Sequence, residues 1–179
     1  MSTAWVDEIL GFWFAHGKAD WWKFNPEFDA EIARRFEELW ARERENVPEH
    51  FLGQADQALA AVILFDQFPR NMFRGHADQF STDPLALAIA RGAVDRDFDD
   101  GMTSVRRGFL YMPFQHSEDL RDQVQSLLLF SALGDDEQLD YARKHHSVIE
   151  RFGRFPHRNR ILGRKPTVFE AEAGEVVPW

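Results

Sequence analysis

Apolar residues recur with helical spacing along most of this chain. The first stripe begins at Trp5 and the second runs from Phe28 to Trp40. The second follows Asn25-Pro26, a capping residue with proline at the first helical position. No stretch alternates apolar and polar residues between hairpin turns, so the sequence predicts helices and no sheet.

One segment is apolar on every side rather than along a stripe. It runs from Gln54 to Phe68 and contains the uninterrupted apolar run Ala58 to Phe65. A helix of this kind is usually central and surrounded by other helices. We expect Pro69 to end it, because proline removes a helical hydrogen bond.

The second half of the chain carries further helix boundaries. Asp83-Pro84 repeats the pattern of a cap followed by proline, and Thr167 with Glu170 forms a capping box. Between them, Pro113 is predicted to end one helix and Ser117 to begin the next. The apolar stripe of that next helix contains Leu120, Val124, Leu127, Leu128 and Phe130.

His146 lies on the predicted stripe of the following helix, with Leu139, Ala142 and Ile149. A lone histidine on such a stripe is more often satisfied within the core than bound to a metal. No Glu-x-x-His or His-x-x-x-His pair accompanies it. We therefore expect a buried His146 with a protein hydrogen-bond partner and no metal.

These elements predict one all-α domain over residues 1–179. Short links between about seven or eight helices favour antiparallel neighbours around one central apolar helix. From Gly174, roughly the last six residues are expected to form a frayed tail.

Composition narrows the classes of function. The chain has no cysteine, which excludes disulfides, thiolate catalysis and cysteine-bound metals. No signal peptide precedes the first helix, and the longest apolar run is far too short to span a bilayer. A cytoplasmic protein with no membrane partner is the expectation.

Net charge is −9, which disfavours nucleic-acid binding because that affinity depends largely on Lys and Arg. Residues 151–165 nevertheless contain six basic residues and no acid. The charge distribution thus predicts a basic island in an acidic protein.

The first polar motif is the segment 66–71, Asp-Gln-Phe-Pro-Arg-Asn. Asp66 directly follows the most apolar helix, so its carboxylate must be paired or become neutral. Arg70, four residues on, is the nearest candidate partner, and Asn71 is a candidate ligand-binding residue. A structural ion pair at the helix end explains the same residues equally simply.

The second motif contains His116, Ser117 and Glu118. If a helix begins at Ser117, its dipole lowers the pKa of the imidazole and favours the anion. A neutral histidine beside a carboxylate can act as a general base, so His116, Glu118 and Asp66 are the candidate catalytic residues. Alternatively, these side chains only satisfy the hydrogen bonds of a turn and have a structural role.

The third motif runs from Arg151 to Asn159 and continues to Arg164. Interleaved Phe, Ile and Leu should hold it against the core, and buried guanidinium groups need anions. We expect Arg154 or Arg158 to approach Asp66 or Glu118, with His116 or His157 at the edge. The candidate ligand-binding residues here are Arg154, His157, Arg158 and Asn159.

The three motifs, in this order and at this spacing, resemble those of the bacterial domain-of-unknown-function family 924. The resemblance also rests on Asp83-Pro84-Leu85-Ala86 and Leu162-Gly163-Arg164, and extends from about Ile9 to Glu170. It implies a tetratricopeptide-like right-handed stack of antiparallel helix pairs, and it implies no particular reaction. Beyond Thr167 the chain departs from the family pattern, which predicts a short last helix.

Two functions remain open. The polar motifs at helix ends favour a site that binds or hydrolyses a small anionic molecule, without a cofactor or a metal. A helical stack also favours a scaffold for a peptide, in which the motifs only fix helix ends. A half-buried cluster beside a cavity favours the first function, whereas full burial with every group paired favours the second. The sequence predicts no oligomeric state.

Overall fold

Helices account for the architecture that the computed structural model describes, which covers residues 4–174 and 176. No strand occurs in this part of the chain, so the predicted all-α class is confirmed. Most of the tail predicted from Gly174 lies outside the described residues. The α-helices are α1 (Ala4–Ala15), α2 (Lys18–Trp22), α3 (Pro26–Glu43), α4 (Ala55–Val62), α5 (Phe68–Met72), α6 (Asp83–Val94), α7 (Ser104–His116), α8 (Leu120–Leu133), α9 (Asp136–Phe152) and α10 (Val168–Ala173).

Short helical turns complete the path. A π-helical turn, Ile63–Gln67, joins α4 directly to α5, and 3₁₀ turns span Pro48–Phe51, Ala77–Phe80 and Pro156–Arg158. Successive helices α6 to α9 pack against one another in chain order. The short α10 begins at the predicted capping box of Thr167 and Glu170.

The predicted central helix is confirmed. From Ala58 to Phe68 every residue is buried, and all but Gln67 are wholly inaccessible to solvent. Helices α1, α3, α6 and α7 surround α4, the π-helical turn and α5. This burial explains why the segment has no polar face, since no side of it meets water.

Pro69 does not end this helix, contrary to the prediction. The carbonyl that a residue at position 69 would normally bond is that of Phe65. The Thr82 hydroxyl donates to this oxygen across 2.7 Å instead, so proline leaves no unsatisfied acceptor. Pro113 likewise lies inside α7, which continues to His116.

The predicted orientation of α8 is wrong. Asp122, Gln123 and Ser126 face the protein interior, whereas the apolar stripe is largely exposed. The Gln123 amide donates to the carbonyls of Gln115 and Ser117, each across 2.7 Å. Asp122 accepts a hydrogen bond from the Ser117 hydroxyl across 2.6 Å. Phe130 and Leu133 also face inward, so these tertiary hydrogen bonds and two apolar side chains together fix the buried face of α8.

The buried histidine of α9 is His145, one position before the predicted His146. His145 shares the inner face with Ala142 and Ile149, and its Nδ1 donates to the Tyr141 carbonyl across 2.8 Å. Spacings of three and four residues both keep a side chain on one helix face, which explains the error. Residues 4–174 contain no group of three acidic or histidine side chains arranged to hold a metal ion.

None of the helices within residues 4–174 is long and apolar enough to cross a bilayer.

Candidate functional site

A buried Asp–His pair joins the first two polar motifs. His116 Nδ1 lies 2.7 Å from Asp66 Oδ1, although the residues are 50 positions apart. The π-helical turn carries Asp66, and the last residue of α7 is His116. Such π-helical turns within α-helices often occur at functional sites. The contact fixes Nδ1 as the protonated nitrogen and leaves Nε2 as an acceptor.

Two arginines surround this pair and share a second carboxylate. Arg70 forms a bidentate ion pair with Asp83 at 2.8 and 2.9 Å, and its Nη1 lies 3.4 Å from Asp66 Oδ1. Arg158 reaches the same Asp83 across 3.3 Å. Asp83 begins α6, where the helix dipole stabilises a negative charge. The cluster of Asp66, Asp83, Arg70 and Arg158 therefore balances two anions with two cations.

Electrostatics assign the protonation states of the cluster. Burial alone would raise the pKa of Asp66, but Arg70 and His116 lower it to about 2. Burial and the positive charge of Arg70 lower the pKa of His116 below its ordinary value, against the opposing effect of Asp66. At neutral pH, Asp66 is an anion and His116 is a neutral imidazole.

The position of His116 differs from the prediction. It ends α7 instead of preceding a helix N-terminus, because α8 begins only at Leu120, after Asp119 as its cap. A helix C-terminus favours the protonated imidazole, so the dipole opposes the lowered pKa. The His116 pKa is lowered by burial and by Arg70, and not by the helix dipole, as the sequence had suggested.

A cleft of about 660 Å³ opens beside the Asp–His pair. Its floor includes His116, Gln67 and Arg70, and its walls come from α2, α5, α7 and α9. This volume is within the usual range for small-molecule sites. The lining side chains with charge or aromatic character are Lys18, Trp21, Trp22, Lys23, Arg70, Arg74, Phe109, His116, Asp135, Glu137, Tyr141 and His145.

The cleft combines cationic and aromatic side chains. Four Lys or Arg side chains line it against two carboxylates, in a chain whose net charge is −9. Trp22 stacks on Phe109 at a ring separation of 5.8 Å and remains 52% exposed. A Lys18–Glu137 ion pair of 2.5 Å links α2 to the beginning of α9.

Asn71 and Arg74 are held at the cleft by one acid of α3. Asp29 accepts from the Asn71 amide across 2.7 Å and forms a bidentate pair with Arg74. Both residues line the cleft, and the Arg74 side chain is 45% exposed. The sequence singled out Asn71 but missed its partner, Asp29.

Glu118 does not belong to the cleft. Its carboxylate forms a bidentate pair with Arg164 at 2.7 and 3.0 Å and accepts from the Phe155 backbone N–H across 2.7 Å. Burial would raise the Glu118 pKa, but these hydrogen bonds lower it. Glu118 thus fixes the third motif to the turn between α7 and α8, and it does not line the cleft.

The remaining residues of the third motif lie behind the cleft. Arg154 forms a bidentate pair with Glu170 at 2.6 and 2.7 Å, and Asn159 donates to the same carboxylate across 3.1 Å. His157 lies 5.6 Å from the Phe155 ring, and burial together with Arg158 lowers its pKa to about 4. None of the candidate ligand-binding residues of this motif lines the cleft: Arg154, His157, Arg158 and Asn159.

The partners predicted for Arg154 and Arg158 are wrong, although another residue of the motif, Arg164, does bind Glu118. Arg154 binds Glu170, and Arg158 binds Asp83 and the His116 carbonyl. The sequence considered Asp66 and Glu118 because they adjoin apolar segments. Asp83 was interpreted only as a helix cap, although an acid at a helix start can also bind an arginine.

The chain is thus an all-helical protein with a buried Asp–His–Arg cluster. The sequence profile of a bacterial protein family of unknown function, DUF924, matches residues 9–173, and the chain belongs to this family. It is similar in structure to the protein of unknown function ATU0120 from Agrobacterium tumefaciens. That similarity has a TM-score of 0.88 and 39% identity over 96% of this chain and 98% of the other. A search of curated protein sequences finds no match.

Proposed function

We propose that the cleft binds a small organic anion and that His116 acts there as a general base in its hydrolysis. The observation that carries the proposal is the Asp66–His116 pair, in which His116 lines a cleft with cationic and aromatic side chains. The pair combines a neutral imidazole with a buried anion that orients it. The proposal uses no metal and no cofactor.

The chemistry follows from the two ring nitrogens of His116. Nδ1–H donates to Asp66, which fixes the tautomer, so Nε2 can accept a proton from a water molecule in the cleft. As Nε2 takes that proton, the water oxygen attacks the carbonyl carbon or phosphorus of the ligand. Asp66 stabilises the imidazolium, which then returns the proton to the leaving group.

The lining of the cleft favours a ligand with two parts. Lys23 supplies positive charge for a carboxylate or phosphate. The guanidinium groups of Arg70 and Arg74 are already engaged by carboxylates. The exposed ring of Trp22 and the half-exposed ring of Tyr141 supply flat apolar surface. An aromatic or apolar ester that also carries an anionic group fits both.

The third motif supports the site from behind in this proposal. Arg158 donates to the His116 carbonyl across 3.1 Å and stacks on Phe155 and Phe80. Its contacts hold the end of α7, so Arg158 is a positioning residue rather than a catalytic one. Arg154, His157 and Asn159, proposed from sequence as ligand-binding residues, take the same supporting role.

Ligand binding is tested by calorimetry and thermal shift with phenyl phosphate, benzoate, inorganic phosphate and acetate. The aromatic anions should bind more tightly than the corresponding small ions. Lys23→Ala should weaken binding about tenfold, because a charge-assisted contact is lost. The matched control is Arg34→Ala, which removes a cation from an exposed position on α3 outside the cleft.

Catalysis is tested separately with chromogenic phenyl esters that carry a carboxylate or phosphate. His116→Asn should retain anion binding and lose turnover about a hundredfold or more. His76→Asn, at an exposed position, is the matched control. If no anion binds, the site proposal fails; if anions bind and His116→Asn changes no rate, only the catalytic role fails.

A tetratricopeptide-like scaffold is the alternative proposal. The sequential packing of α6 to α9 favours it, as does the internal pairing of Arg154, Arg158 and Arg164 in the third motif. In that case the cleft would receive a peptide side chain instead of a free small molecule. Binding of acidic aromatic peptides without binding of phenyl phosphate or benzoate would support the scaffold.

A further inference from the structure

The outer face of α8 exposes an apolar stripe that the cleft does not use. Leu120, Val124 and Leu128 lie at successive turns and are 45%, 46% and 62% exposed. None of them lines the cleft. Three large aliphatic side chains on one exposed helix face are unusual, because apolar stripes normally face a core.

Small and charged residues lie at the two ends of this face. Ser131 and Ala132 are exposed near its C-terminal end, and Arg121 is exposed near its N-terminal end. The Arg121 guanidinium is already neutralised by Asp119, at 2.7 and 3.2 Å. The face therefore has large side chains at one end, small ones at the other, and no unpaired charge among them.

This arrangement is complementary to itself in the antiparallel sense. A twofold axis level with Ser126 would place Val124 opposite Leu128 of a second copy. The same axis would place the large Leu120 opposite the small Ala132, and Arg121 opposite Ser131. Large-on-small packing lets two helices approach closely, and a twofold axis uses the same face on both copies.

Other occupants fit the face less well. A membrane surface favours an apolar helix face flanked by several free Lys or Arg side chains, and here the one cation is neutralised. A single convex helix is a ridge, whereas helical peptides bind in grooves. Two chains of net charge −9 repel each other, so they can associate best through a face without unpaired acids.

We propose that the outer face of α8 is the twofold interface of a homodimer, with Val124 and Leu128 at its centre. The helix has 14 residues, so it is about 21 Å long. One helix pair gives a small interface, and the dimer dissociates on dilution. Salt strengthens it by screening the repulsion between the acidic chains.

Sedimentation equilibrium at rising protein concentration tests the proposal. The chain should show a monomer–dimer equilibrium that shifts toward dimer in salt. Leu128→Glu should weaken the dimer at least about tenfold, because each copy would bury a carboxylate against Val124. The control Ala41→Glu makes the same charge change at an exposed position on α3. Circular dichroism verifies that both variants remain helical.

Disulfide trapping tests the antiparallel register without disturbing the apolar centre. The chain has no native cysteine, so introduced thiols are the only ones present. A mixture of Leu120→Cys and Ala132→Cys chains should form a mixed disulfide, since these positions oppose each other. Leu120→Cys alone should not, because its two copies would lie about 18 Å apart along the helix axis.

Each contrary outcome has a definite meaning. A chain that stays monomeric at every concentration, or a dimer unaffected by Leu128→Glu, overturns the proposal. Rapid trapping by Leu120→Cys alone overturns the antiparallel register. If the monomer instead binds phosphatidylcholine or phosphatidylserine vesicles through Leu128, the face is a membrane surface and the dimer is rejected.

Discussion

Arg158 donates a hydrogen bond to the backbone carbonyl of His116 across 3.1 Å. The same guanidinium reaches Asp83 and lies over the rings of Phe80 and Phe155. Burial lowers its pKa to about 10, against the opposing effect of Asp83, so the group stays charged at neutral pH. One side chain of the basic island thus holds the end of the helix that carries the candidate base.

Removal of Arg158 should destabilise the fold. Arg158→Ala leaves the His116 carbonyl and part of the Asp83 carboxylate without a donor, which we expect to cost about 3 kcal/mol. Chemical unfolding in urea measures this loss. Arg121→Ala removes a guanidinium that is 90% exposed, and its unfolding free energy should be unchanged. Equal effects of the two substitutions would contradict a structural role for Arg158.

The titration of His116 should respond in opposite directions to its two charged neighbours. Asp66 raises the His116 pKa and Arg70 lowers it. Asp66→Asn should therefore shift the His116 pKa further down, and Arg70→Gln should shift it up. NMR of the imidazole protons measures both. As a control, Asp56→Asn changes an exposed carboxylate outside the cluster and should leave this titration unchanged. Shifts of the same sign in both cluster variants would disprove the assigned electrostatics.

Acid should destabilise the protein through its buried histidines. Burial and the proximity of His116 lower the pKa of His145 to about 2 from its ordinary value of 6.5. Between those values the unfolded chain binds the extra proton, so stability falls as pH drops below about 6.5. Each such histidine contributes up to about 1.4 kcal/mol per pH unit.

His145→Asn tests the contribution of that side chain. The variant should show a shallower loss of stability from pH 6.5 downward, by about one proton per molecule in the linkage slope. Urea unfolding at several pH values gives the slope directly. His76→Asn should keep the wild-type slope, since His76 lies at the surface. Equal slopes for the wild type, His145→Asn and His76→Asn would refute the role of His145.

Thr82 and Pro69 should show coupled effects on stability. Thr82 donates to the Phe65 carbonyl and accepts from the indole N–H of Trp40 across 3.2 Å. Thr82→Val leaves both buried groups unpaired, which should cost about 2 kcal/mol. Pro69→Ala restores a backbone N–H that can reach the Phe65 carbonyl, so the double variant should recover part of the loss. A double-mutant cycle by urea unfolding measures the coupling, and strictly additive effects would exclude it.

Local sequence signals predicted most helix beginnings. Asn25 caps α3 with two backbone N–H groups bound to its side chain, and Thr167 with Glu170 begins α10 as expected. These signals succeed because a cap depends on residues within three positions of one another. The central position of Ala58 to Phe68 was predictable for a similar reason, since an all-apolar helix has no side suited to water.

Tertiary hydrogen bonds account for the errors. Pro69 failed to end its helix because Thr82, distant in sequence, satisfies the freed carbonyl. Gln123 turns inward because it serves two carbonyls at the end of α7. Neither partner can be identified from local spacing.

The sequence identified several residues of the candidate site but not the partners with which they pair. The sequence selected Asp66, Arg70 and His116, and the structure brings these three together. It missed Asp83, whose place beside two arginines depends on how α6 packs against the π-helical turn. The aromatic wall at Trp22 and Tyr141 was also missed, because no periodic pattern distinguishes a cleft from a core.

The ion pair between Asp83 and Arg158 joins residues 75 positions apart, which has a consequence for biosynthesis. A ribosome releases the chain from its N-terminus, so Asp66, Asp83 and Arg70 emerge well before their last partner. Until residue 158 is free, His116 lacks the donor to its carbonyl and the cluster lacks its second cation. Nascent chains stalled before that point should remain protease-sensitive around α7. Chains that include the whole basic island should become resistant there.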